Sequence, residues 1–184
     1  NAPNCAPNSC SILFAVAASA LPARGEIGKS LGKLPRQIER YIDAFKALHI
    51  LYEIEPFPTG TGKAFLYPFD AGIAKACGAD ETKRRQIWFL NECYSQFANV
   101  GKPMPDIFYY RTAKGSTVDF VVKGSGYSAA FMLTDIESPS RYYMRTAEAF
   151  SLKHGDIPLY VLTPGLTPFK HLKNVWVIPW EAAI

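Results

Sequence analysis

The sequence predicts a mixed α/β fold, α+β overall, in two domains, and three observations predict it. Residues 1–68 read as three helices followed by a hairpin, and residues 69–184 as strands interleaved with helices. The composition, 48% hydrophobic and 14% aromatic against 20% charged, supplies enough apolar surface for a core and excludes a disordered chain. A formal net charge of +4 permits nucleic-acid binding without demanding it.

Ser9 or Ser11 is placed to cap a first helix that runs to about Ala20, with Pro22 and Gly25 as its breakers. A short second helix covers 26–31, and Gly32 ends it. Pro35 suits the first position of a third helix, where its missing N–H would have had no intrahelical partner. Along that helix Ile38, Tyr41, Ile42, Phe45 and Leu48 recur at three- and four-residue steps and predict one apolar stripe. Lys33, Arg36, Arg40 and Asp43 fall opposite, with Gln37 beside them. A strand at 50–54, the turn PFPTGTGK and a return strand at 64–67 complete the first domain, with the boundary near Pro68.

Three helices and a hairpin are the order of a winged helix, here an N-terminal winged helix-turn-helix domain. Its third helix would be the recognition helix, and Thr59-Gly60-Thr61-Gly62 the tip of the wing. The residues predicted to meet double-stranded DNA are Lys33, Arg36, Gln37 and Arg40, with Lys63 on the wing. Gly60-Thr61-Gly62-Lys63 imitates the end of a phosphate loop. The full motif needs Gly where Phe57 stands and Ser or Thr where Ala64 stands, so no ATP site is expected there.

In the second domain 70–79 reads as a short helix, 80–85 as a loop or helix start, and 86–98 as a helix. Strands are expected at 107–111, 118–122 and 129–134, then a helix over 139–154 closed by Gly155. Further strands are expected at 159–162 and 175–179, with a short helix at 168–172 between them. The apolar run 11–21 is too short to span a membrane and lacks a basic lead, so a buried helix and no membrane partner are expected. Cys5, Cys10, Cys77 and Cys93 show no metal spacing and predict free thiols in a reducing, cytoplasmic setting. Cys93 reads as an inert buried thiol. His49, His154 and His171 share no ligand pattern, and the chain is expected to be an excised piece of a longer protein because it begins with Asn1.

The stretch TVDFVVKGSGYSAAFMLTD sets one carboxylate, Asp119, in an otherwise apolar hairpin. With LPARGEIGKSLGKLPRQIERYIDAFKALHILYEIEPF, RRQIWFLNEC, IFYYRTAKGSTVDFVV and NVWVIPW, this order of parts resembles the C-terminal half of a prokaryotic family of P-loop ATPases. There an AAA-type ATPase domain precedes a winged helix and a domain of unknown function with a restriction-endonuclease-like mixed α/β core. The resemblance implies that ATP hydrolysis belongs to a segment upstream of this chain. It places the first nuclease carboxylate at Asp119, and the second carboxylate and the Lys two residues apart on the next strand, on one face. An ungapped match puts Met132 and Thr134 there, and a two-residue slide gives Ala130 and Met132; Gln86 stands where the family often has a Glu.

A hard divalent cation is anchored by carboxylates together with substrate phosphates, so a degenerate site and no cofactor are expected. Asp119 would then be vestigial, or paired with Arg111 or Lys114. The alternative is a magnesium-dependent nuclease in which Asp135 and Glu137 join Asp119, with Lys123 or Lys114 as the cation. The preferred expectation is a non-catalytic module that binds double-stranded DNA, a protein partner or its own ATPase domain. In a purely protein-binding version the exposed aromatics would be Tyr142 and Tyr143.

Overall fold

The computed structural model describes residues 9–18, 23–165 and 167–183. Cys5, the Asn1 start, Ala20 and Pro22 lie outside the described residues, whereas Gly25, expected as a helix breaker, lies within the helix Arg24–Ser30. The chain divides into two compact units, 1–54 with 63–89 and 55–62 with 90–184. This differs from a boundary near Pro68. The expected wing tip joins the second unit, and the segment after Pro68 stays with the first.

The first unit holds α1 (Ser9–Ala18), α2 (Arg24–Ser30), α3 (Pro35–Ala47), the paired parts of β1 (Leu51–Pro56) and β2 (Phe65–Pro68), α4 (Ala71–Ala76) and the start of α5 (Glu81–Asn99). Ile12 and Val16 of α1, Ile27 of α2 and Ile38, Ile42 and Phe45 of α3 pack with Leu51 and Leu66 of the hairpin. Tyr41 and Leu48 leave the predicted stripe: Tyr41 is 38% and Leu48 67% exposed. At about 100° per residue, Ile38, Ile42 and Phe45 fill the buried arc, and the other two fall on its rim. β1 and β2 run antiparallel, from Leu51 opposite Pro68 to Ile54 opposite Phe65. Asp70 caps α4 by accepting from the Ile73 amide at 2.6 Å, and Asp80 does the same for Lys83 at 2.7 Å, so the polar run at 81–85 is already helix.

The second unit is a mixed sheet with α6 (Arg141–Lys153) on one face. β3 (Asp106–Arg111), β4 (Thr117–Gly124) and β5 (Tyr127–Leu133) form an antiparallel meander. Ser125 and Gly126 make the β4–β5 turn, and Gly126 takes a φ of 82° that a side chain would resist. After α6, β6 (Leu159–Thr163) runs parallel to β5, and β8 (Val175–Pro179) parallel to β6. β7 (Phe169–Leu172) closes that edge as a strand antiparallel to β8, where a helix at 168–172 was expected. Its four residues are all exposed, so burial periodicity carried no signal, and the unpaired edge of β8 decides the conformation.

Met144, Ala147 and Phe150 of α6 pack on Val121, Ala130, Met132, Val161 and Val177. Glu55 and Pro56, the last residues of β1, pair in parallel with Phe108 and Tyr109. Among the described residues no helix is long and apolar enough to cross a membrane.

Candidate functional site

The exposed side of α3 gathers most of the residues singled out for DNA. Lys33, Leu34, Arg36, Gln37, Arg40, Tyr41 and Ala44 line one open depression of about 680 Å³. Helical spacing explains the grouping. Residues 36, 37, 40 and 44 recur at three and four and so share a face of α3, with Lys33 and Leu34 just ahead of its first turn, while Ile38, Ile42 and Phe45 turn inward. Gln37 also has a structural duty, since its Oε1 accepts from the Leu34 amide at the start of the helix at 3.3 Å. Lys63 is exposed on the segment before β2 and is not among the described residues of that depression.

Acidic residues lie on the flank of α3 between this face and the buried arc. Asp43 accepts from Arg24 Nη1 at 3.2 Å. The same guanidinium grips Glu53 through Nε at 2.7 Å and Nη2 at 2.9 Å, and Lys46 also bonds Glu53. Arg24's hydrogen bonds, more than they are opposed by desolvation, hold the Glu53 carboxyl below its ordinary range. Asp43 is thereby engaged with α2 rather than with the arginines of the open face. Glu39 remains exposed on the flank.

The segment expected to form the wing tip is fastened within the second unit. The Phe57 amide donates to Tyr109 O at 2.7 Å and the Thr61 amide to Arg111 O at 2.8 Å. Lys153 Nζ donates to Thr59 O at 3.2 Å, and Thr59 Oγ1 lies 3.1 Å from His154 Nε2. His154 is buried among Phe57, Tyr110 and Phe150, and that burial lowers its pKa. No sequence motif announced this clasp, because its partners are about 95 residues apart.

Asp119 lies on β4 one step before Phe120, whose partner across the hairpin is Phe131. Its Oδ2 accepts from the Leu133 amide at 2.8 Å, while the Tyr143 hydroxyl donates to Leu133 O at 2.8 Å. Both backbone groups of the last β5 residue are thus held by side chains. Burial, reinforced by the negative charges of Asp119 and Asp135, raises the Tyr143 pKa. Tyr143 is therefore no exposed contact aromatic, whereas Tyr142 is 71% exposed.

Asp135 and Glu137 are exposed, Met132 is core, and among the described residues no group of three or more His, Cys, Asp or Glu is placed to hold a metal ion. One Asp119 oxygen is committed to an amide, and the nearby hydroxyl is kept protonated.

Among the other candidates, burial pushes the Cys93 thiol up to about 12, which makes it a poor nucleophile at neutral pH. His49 is exposed with a φ of 54° just after α3, and His171 pairs with Glu148 at 2.8 Å. Lys83 escaped the sequence reading. It is 6% exposed, 3.3 Å from Leu66 O, and its amine lies 3.8 Å from the Tyr67 ring centroid. Its spacing to Ile87 and Leu90, four and then three residues on, was the available signal. Comparison with known proteins finds no matching family model and no significant match among curated proteins or solved structures.

Proposed function

We propose that this chain is a non-catalytic DNA-binding module, a winged-helix-type unit followed by a nuclease-like unit without an assembled metal site, serving as the binding end of an ATPase. The single observation that carries the DNA reading is the open face of α3, where Lys33, Arg36, Gln37 and Arg40 line one depression. An α-helix fits the major groove, and arginines along its face neutralise phosphates or grip guanine edges. The pull of Arg24 on Asp43 favours the same reading, because it ties up a nearby carboxylate. The order of α5, the β3–β4–β5 meander, α6 and β6 supports the nuclease-like assignment. Asp119 acts there as a structural acceptor rather than as a metal ligand.

Phosphate contact without an extensive base-reading surface gives weak, salt-sensitive and largely sequence-independent binding. A gel-shift titration of duplex DNA at low salt tests it. Binding is expected, and the double variant Arg36→Gln/Arg40→Gln is expected to weaken it by about tenfold or more. Absence of any shift for the unaltered protein removes DNA and leaves a protein partner as the occupant of this face.

A further inference from the structure

We propose that the cavity between the β3–β4 turn and the C-terminal half of α6 binds a small organic carboxylate. Tyr110, Thr112, Ser116, Thr146, Phe150 and Lys153 line it within the second unit. Its volume of about 300 Å³ has room for one ring and its carboxylate. The polar side chains there are four hydroxyls and one ammonium, with no carboxylate among the lining residues. The Lys153 amine spends two of its three donors on uncharged acceptors, Thr59 O at 3.2 Å and the Tyr110 hydroxyl at 3.3 Å. Among the described residues no carboxylate lies within ion-pair distance of it, so its charge and one N–H are left for a ligand.

The second observation is independent of charge. Thr146 is only 9% exposed, and its hydroxyl has no hydrogen-bond partner among the described residues. A hydroxyl so placed is costly without a partner, and this one is not sealed from solvent, so the cavity is where its partner would sit. Thr112 Oγ1 accepts from the Ser116 amide at 3.1 Å, and the Tyr110 hydroxyl accepts from Lys153, so each keeps its own proton to donate. These donors are held in place before any ligand arrives. The Thr112 amide donates to Ser116 O at 2.9 Å across the turn, and the Tyr110 ring stands edge-on to Phe150 at 5.0 Å between centroids. Phe150 supplies an apolar inner wall. One cation beside neutral donors matches a monoanion, and the aromatic wall matches an apolar body. A phosphate ester would bring a second charge that no lining residue neutralises. The site is distinct from the α3 face and does not depend on the DNA reading.

The test is isothermal titration of the full chain with benzoate, benzyl alcohol and phenyl phosphate as probes. Benzoate is expected to bind about tenfold more tightly than either of the others. Thr146→Val keeps the side-chain shape and is expected to weaken benzoate about fivefold. It is expected to leave the melting temperature no lower, because no side-chain bond within the protein is lost. Lys153→Gln is expected to weaken benzoate about tenfold or more. That substitution also releases Thr59, so the Thr146 variant carries the test where Lys153→Gln melts early. Arg36→Gln/Arg40→Gln is expected to leave benzoate binding unchanged, which separates this site from α3. The proposal is overturned if benzoate does not bind, if benzyl alcohol or phenyl phosphate binds as tightly, if Thr146→Val is silent or lowers the melting temperature, or if the α3 variant abolishes binding.

Discussion

Lys83 places a cation where little water reaches. Desolvation draws its pKa down from 10.5 to about 7, partly opposed by Asp80, and the Tyr67 ring also favours the charged form. The folded pKa lies below the unfolded one, so the unfolded chain holds more protons between pH 7 and 10.5 and stability rises with pH across that window. Below pH 7 both states are protonated and the full cost persists. Lys83→Met is expected to raise the melting temperature most below pH 7, by about 2–4 °C for each kcal/mol of relief, with the gain shrinking toward pH 10. Melting curves of both proteins across that range check it; a gain independent of pH contradicts the buried-cation account.

Asp119 yields a second test at the same scale. Asp119→Ala strands the Leu133 amide and is expected to cost about 1–3 kcal/mol in urea unfolding, whereas Asp119→Asn keeps an acceptor and is expected to lose less. Equal losses would count against the amide role.

Elements add constraints that single residues do not. The segment 55–62 is stitched to β3 by the pairing of Glu55 and Pro56 and by the backbone bonds of Phe57 and Thr61, and Gly62 sits in its path at a φ of 134°. A Cβ at Gly62 would run into the Tyr109 hydroxyl. Gly62→Ala is expected to destabilise by about 1–3 kcal/mol, measured by chemical denaturation; a neutral outcome would mean that the segment moves aside freely. Most helices and strands were legible because burial imprints periodicity, as with Ile38, Ile42 and Phe45. β7 was not legible, since an edge strand exposed at every position leaves no alternation. Tyr41 and Leu48 matched the three–four spacing yet lie outside the arc that the core can cover.

At the scale of the whole molecule, long-range partners decide what the sequence hides. Arg36 and Arg40 could be read as an open basic face from spacing alone. Asp119 stood out as a lone carboxylate among apolar neighbours, but its partner is a backbone amide, which no letter of the sequence marks. Lys83 and Arg84 sit in a polar run that resembles solvated surface, and only the helix beginning at Glu81 turns them toward the protein. The His154 clasp on Thr59 depends on chain closure over the full second unit.

The central claim is that this chain holds DNA through phosphate charge. It is tested most directly by fluorescence anisotropy of a labelled duplex across a salt series. If Lys33, Arg36, Arg40 and Lys63 each release a counterion, the logarithm of the binding constant falls against the logarithm of salt with a slope of about −3.6. The slope flattens by about 1.8 in Arg36→Gln/Arg40→Gln. Absence of binding at the lowest salt, or a slope unchanged by that double substitution, would contradict the account.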